Sequence, residues 1–492
     1  MKGKTASNIL HFSIAVVLSK IIGAATTFCV ASILIPADYG VWSTLTLVIS
    51  LSTIFLLGSV ETLVKQVPYY LGESNENMVA RTDGGVLASV YLSSGGLLFI
   101  SFVFLFSGFG VAGRSLVHYI QITLLTAAIS LFTCFYYYRF SAFSHFKEVS
   151  VLNSLRAVLT FLIVIALGWK WHLMGMIVGG FGVELSLLVL SVKLNRRLER
   201  PIRLNFNAGL LWNLIKIGFP ITMVWWVYMV MSSIGRIISI GMLGKTATGY
   251  YSLGVSIVSL IILVPAAIGQ VLYPQVSERV GGKASPESIS RYVVFPAQIM
   301  SLVIPLMLGV LLLVTPFALH VCFPKYIPSI LSAQILISGA FFACFIKNGV
   351  NYLVAHDKQA EVFAYVLASL AMTVLVTVSA IKMHYDIQGV AAGTVAGCLL
   401  LTTLIWKSVF KKFGCPLPEQ WKKIVQLYTP FFVMLAVFVL ITGMGNRCIP
   451  DNRVKLAVTV PSFIVLYLSA LFPIPFLRSW STALVRELKR RN

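Results

Sequence analysis

Charge is what this sequence has least of. Only 11% of its 492 residues are Asp, Glu, Lys or Arg, against about 25% in a soluble domain. Acids are the scarcer sign, with 16 Asp and Glu facing 38 Lys and Arg, for a formal net charge of +22. No G-x-x-x-x-G-K-[ST] run is present, nor any polar stretch able to fold as a nucleotide-binding domain, which excludes a pump driven by its own bound ATP. The seven cysteines form no C-x-x-C pair and have no metal-ligand spacing, so they read as small hydrophobes in or beside apolar runs. The seven histidines fall near the ends of those runs, with none facing another at ligand spacing. Neither a catalytic set, a metal site nor a cofactor site is indicated.

What is present is apolar length. Hydrophobic residues make up 58% of the chain and the mean hydropathy is +0.90. About fourteen stretches of bilayer-spanning length run from 9–33 to 454–474, and each reads as a membrane helix. The expected class is an all-α, polytopic membrane protein. Its basic balance suggests nucleic acid at first, but the cations are distributed as topological signals. With the N-terminus inside, inner loops hold roughly three times as many Lys and Arg as outer loops, which places both termini in the cytoplasm. Clusters such as Lys193 to Arg197 and Lys489 to Arg491 then meet anionic lipid headgroups rather than nucleic acid. The first apolar run is too long for a signal peptide and contains Lys20, so it reads as a retained span. Trp169, Trp171, Trp225, Trp226, Trp406, Trp421 and the run Tyr136 to Tyr138 read as interfacial anchors.

The chain also repeats itself. Gly40 to Leu51 (GVWSTLTLVISL) echoes Gly249 to Leu260 (GYYSLGVSIVSL). His145-Phe-Lys147 before one span echoes His356-Asp-Lys358 before another, and Gly175-xxx-Gly179 echoes Gly389-xxx-Gly393. All recur at an offset of about 210 residues, indicating two six-helix lobes, 1–200 and 201–412, of like orientation. Residues 413–492 carry two appended helices and a basic cytoplasmic tail. Duplicated lobes, each with a cation inside a span, point to a transporter with its site between the halves.

A charge at mid-bilayer costs about 2.5–3.5 kcal/mol or more, so each intraspan charge is a functional candidate. Lys20 lies near the middle of its span; Arg236 lies nearer the outer end of its own, where it either faces a cavity or snorkels to the outer surface, and Arg156 and Lys347 lie within snorkelling reach of the inner surface. Glu184 is the one acid well inside a span, and either titrates as a coupling site or pairs with a neighbouring cation. The spans 85–107 and 115–138 carry no informative polar residue. Such a cationic set suits an anionic headgroup.

The opening Ser19-Lys20-Ile-Ile-Gly23, followed by the run Leu34 to Ser43, resembles the start of bacterial Wzx-type polysaccharide flippases. These belong to the multidrug/oligosaccharidyl-lipid/polysaccharide (MOP) exporter superfamily. Gly218-Phe-Pro220, Gly249-Tyr-Tyr-Ser252, the run Pro274 to Glu278 and the span opening around Gly389 extend the resemblance over nearly the whole chain. It implies a flippase of the bacterial inner membrane that moves a polyprenyl-pyrophosphate-linked oligosaccharide outward. That oligosaccharide would be an O-antigen, capsule or exopolysaccharide repeat unit. It also implies polymerase and chain-length machinery as partners, and coupling to protons, sodium or the membrane potential in place of a cofactor. Family members commonly carry an acidic–basic pair near Gly235-Arg236; here glycine stands where the acid would be. The alternatives are a drug/cation antiporter, which needs several carboxylates, a membrane polymerase or ligase, which needs a sizeable outer loop, and a flippase for the peptidoglycan precursor.

Overall fold

A lipid interior offers no partner to backbone N–H and C=O groups, so each apolar span satisfies its own as a helix. A computed structural model describes residues 2–106, 114–198, 200–281, 285–448 and 452–472, which form fifteen α-helices and no strand. The order is α1 (Lys2–Ile33), α2 (Pro36–Leu51), α3 (Ser59–Gly72), α4 (Glu76–Phe106), α5 (Arg114–Ala142), α6 (Phe146–Leu159) and α7 (Ile165–Asn195). There follow α8 (Ala208–Met242), α9 (Gly244–Gly281), α10 (Pro286–Cys322), α11 (Ile330–Ala355), α12 (Gln359–Lys382), α13 (Asp386–Lys412), α14 (Leu417–Cys448) and α15 (Asn452–Leu471). Among the described residues, nine helical segments are long and apolar enough to cross a membrane, and shorter apolar helices accompany them. This is a multi-pass membrane protein. The basic cluster Lys489 to Arg491 lies outside the described residues, as does the side chain of Trp225.

Each apolar stretch holds a helix, and the extra one comes from a break in the second stretch. Leu57 and Gly58 are left-handed there, with φ of 48° and 81°. A Cβ on Gly58 would collide with the backbone of Gly218, and the converse also holds, so α8 crosses this break with backbone against backbone. Only glycine at both positions permits that approach. Farther on, α6 continues through a π-helical turn (Thr160–Val164) into α7, which reverses at Trp171 and His172.

The duplicated landmarks form matching local structures. Ser144 and Asp357 are left-handed, with φ of 59° and 58°. His145 N–H bonds the Phe140 carbonyl at 2.8 Å, and Lys358 N–H bonds the Leu353 carbonyl at 3.0 Å. Both are Schellman-type stops that turn one span into the next.

Packing divides the chain into two units, Met1–Ser233 and Ile234–Asn492, with the division inside α8. In the first unit α3, α4, α5 and α7 share a core that includes Leu63, Val86, Leu131, Phe135 and Leu187. In the second, α12 and α13 pack through small residues. Gly389, Gly393 and Gly397 of α13 face Ala380, Thr377 and Thr373 of α12, leaving no room for a Cβ. Such close approach substitutes for the hydrophobic drive that lipid removes. α14 and α15 fasten to α10: Ser301 donates to the Leu427 carbonyl at 2.5 Å, and Tyr467 to the Leu302 carbonyl at 2.9 Å.

Two expected anchors lie in the interior instead. Trp406 of α13 is 0% exposed, packs beside Phe345 of α11 and Phe410, and donates its indole N–H to the Phe345 carbonyl at 3.3 Å. Tyr136 is likewise buried, beside Phe135 and Phe140. Trp169, Trp171 and Trp421 are exposed, as an anchor requires.

Candidate functional site

The first unit holds Lys20, Arg156 and Glu184. Lys20 projects exposed from α1. Arg156 on α6 and Glu184 on α7 meet, with Nη1 to Oε1 at 3.1 Å and Nη2 donating to Oε2 at 3.3 Å. The carboxylate is 11% exposed and the guanidinium side 44%, so the pair is a buried acid met by a half-open base.

Glu61 opens α3 and has no counterpart in the expectations from sequence. Its Oε1 accepts from the Tyr138 hydroxyl at 3.4 Å, while Oε2 is buried with no hydrogen-bond partner among the described residues. As a residue Glu61 is partly buried.

A third acid, Asp83, belongs to a network that sequence reasoning also missed. α4 begins at Glu76, well before the apolar run at 85–107, and thereby brings Asp83 into the packed helix. Arg139 on α5 is 0% exposed, and its Nε bonds both Asp83 oxygens at 3.0 and 2.8 Å. Nη1 donates to the Asn195 side chain on α7, and Nη2 to the Arg200 carbonyl at 3.0 Å. Arg200 in turn grips Glu76 through two bonds of 2.6 and 3.0 Å, and Arg139 and Arg200 both lie 5.3 Å from the Phe143 ring centroid. With all three guanidinium nitrogens so engaged, burial of the charge is compensated. A signal did exist: Asp83 and Arg139 sit just beyond one end of two consecutive apolar runs, at the same depth and with opposite sign.

The second unit holds Arg236 and Lys347. Lys347 lies partly buried on α11, preceding Asn348, whose amide faces the Met300 sulfur at 3.4 Å. Arg236, near the end of α8, is partly buried and makes no ion pair with an acid among the described residues; its Nε is buried with no hydrogen-bond partner among them. Next to it, a Cβ on Gly235 would run into the Tyr251 hydroxyl, so the chain has no space there for a carboxylate. Of the five charges singled out, the structure joins Arg156 to Glu184, leaves Lys20 exposed on α1, and places Arg236 and Lys347 in the other unit. Among the described residues, no group of three or more His, Cys, Asp or Glu side chains is arranged to hold a metal.

No protein-family model and no curated protein matches the sequence. Solved structures do match the fold. The lipid II flippase MurJ, in an inward closed conformation, superposes with a TM-score of 0.69 at 15% identity, over 97% of this chain and 99% of that one. An inward-facing multidrug resistance transporter of the MATE family, in the MOP superfamily, gives 0.66 at 13% identity, over 82% and 98%. A MOP superfamily transporter from Pyrococcus furiosus gives 0.60 at 12% identity, over 83% and 95%. The fold is thus the helical one shared by MOP-superfamily transporters and flippases.

Proposed function

We propose that the protein is a flippase that carries a polyprenyl-pyrophosphate-linked oligosaccharide outward across the bacterial inner membrane, by alternating access. The observation that carries this reading is Arg236, an intraspan guanidinium with no acidic partner among the described residues. A cation left uncompensated at that depth is costly, and an anionic ligand is its natural complement. Guanidinium presents a planar fork to phosphate oxygens; Lys20 of the first unit and Lys347 of the second are further candidate point charges. Arg156 contributes less, since Glu184 neutralises it. The oligosaccharide and pyrophosphate cross together while the polyprenyl tail stays in lipid. An inside-negative potential favours this direction by about 2.3 kcal/mol per charge per 100 mV.

The sugar we favour is an O-antigen, capsule or exopolysaccharide repeat unit, on the resemblance of the Lys20 and Gly40 segments to Wzx-type flippases. A second reading, the peptidoglycan precursor, is supported by the match to MurJ over 97% of this chain. A drug/cation antiporter, which needs several free carboxylates, is disfavoured because Asp83 and Glu184 are each already paired with an arginine, which leaves Glu61 as a lone acid beside them. Both termini are placed in the cytoplasm by the charge bias, and anionic lipids by the basic loops.

Lipid extraction from cells lacking the protein tests this. Accumulation of a polyprenyl-pyrophosphate oligosaccharide, relieved by the wild-type gene but not by one carrying Lys20→Ala and Arg236→Ala, is the expected result, and the sugar decides between the two readings. Sensitivity to cationic drugs without any such lipid would overturn the flippase.

A further inference from the structure

Glycine at 235 has a structural reason that reaches Arg236. Tyr251 of α9 is 1% exposed, and its hydroxyl shares a hydrogen bond of 2.9 Å with Thr394 of α13. Thr394 uses its own proton on the Val390 carbonyl at 3.0 Å. A hydroxyl has one proton to give, so Tyr251 is the donor in the shared bond. That phenol lies in the notch left by Gly235: a Cβ there would collide with its oxygen and stand 2.8 Å from Cζ and 3.1 Å from the Thr394 hydroxyl. Three helices are thus pinned at one point, one residue from Arg236. Successive residues on a helix are turned by about 100°, so fixing the face of 235 also fixes the direction of 236. Arg236 is near enough to act electrostatically on Tyr251, yet its buried Nε meets no acceptor among the described residues.

We infer that Tyr251 and Thr394 are positioning residues for an oxyanion site at Arg236. The phenol, seated on Gly235, holds α8 at one rotation and excludes a carboxylate from 235, leaving the Arg236 Nε–H unclaimed for a phosphoryl oxygen. This rests on the flippase reading only in taking the ligand to be phosphoryl. The buried Tyr251 hydroxyl, already donating to Thr394, does not itself bind the anion.

The full-length protein, purified in detergent and titrated with inorganic pyrophosphate by calorimetry, tests the inference. Arg236→Gln is expected to weaken binding about tenfold or more, the loss of one charge-assisted hydrogen bond. Tyr251→Phe and Thr394→Val should each weaken it about three- to tenfold, and neither should weaken it further once Arg236→Gln is present. Thr394→Ser, which keeps the hydroxyl, should bind like wild type, separating positioning from general damage to the fold. Wild-type affinity in both Tyr251→Phe and Thr394→Val, or equal losses with and without Arg236, overturns the inference. So does a wild-type protein that binds no pyrophosphate, whatever lipid the deletion cells accumulate. Conversely, the expected binding pattern in a protein whose deletion accumulates no lipid leaves this site standing and removes only the flippase.

Discussion

The two units treat their intraspan arginines in opposite ways. In the first, Arg139 is enclosed by Asp83, Asn195 and the Arg200 carbonyl, and Arg156 is met by Glu184. In the second, the intraspan Arg236 has a glycine and a tyrosine beside it and no acid among the described residues. A charge that only has to be accommodated is best surrounded, because removing either partner strands the other in low dielectric. A charge meant for a ligand has to be left unmatched. Within one chain, then, the same residue type serves as structure in one unit and as a candidate site in the other, and the neighbours make the difference.

That contrast is open to direct attack. The largest effect should come from Arg139→Ala, which strands Asp83 inside the first unit; a loss of about 3–5 kcal/mol is expected, seen as a steep fall in melting temperature in detergent. Melting at the wild-type temperature would mean that the network is not what holds these helices. Next, Gly393→Leu should force α12 and α13 apart and cost about 1–3 kcal/mol in the same melt, since the second unit relies on close backbones. A smaller change, about 0–1 kcal/mol, is expected for Glu184→Gln, because its arginine is half-exposed and screened. The smallest belongs to Arg236→Gln, whose melting should stay within about 0.5 kcal/mol of wild type while complementation of the deletion is lost. A clear drop in its stability would reveal a structural partner for Arg236 and erase the difference between the units.

Much of the fold was legible beforehand because lipid is a demanding solvent. The helical class and the matching turns before Lys147 and Lys358 follow from apolar length and short polar breaks. The candidate site was less so. Asp83 and Arg139 fell outside the apolar stretches because α4 and α5 run past them, and Trp406 looked like an anchor because a fully apolar helix has no periodicity to reveal which face is covered. Glu61 lies inside an apolar stretch but near its edge, where an acid reads as interfacial.

By itself, the sequence determined that this chain is a bundle of membrane helices with recurring landmarks and a surplus of cations inside its spans. Hydropathy and local turn chemistry suffice for that, since each helix closes its own hydrogen bonds. Which cation is matched and which is left open was decided only by tertiary structure. Pairing depends on side chains far apart in sequence, Arg139 with Asp83, Arg156 with Glu184, and Gly235 with Tyr251. Those meetings are set by helix rotation and close packing, which in lipid are governed by contacts rather than by a hydrophobic stripe.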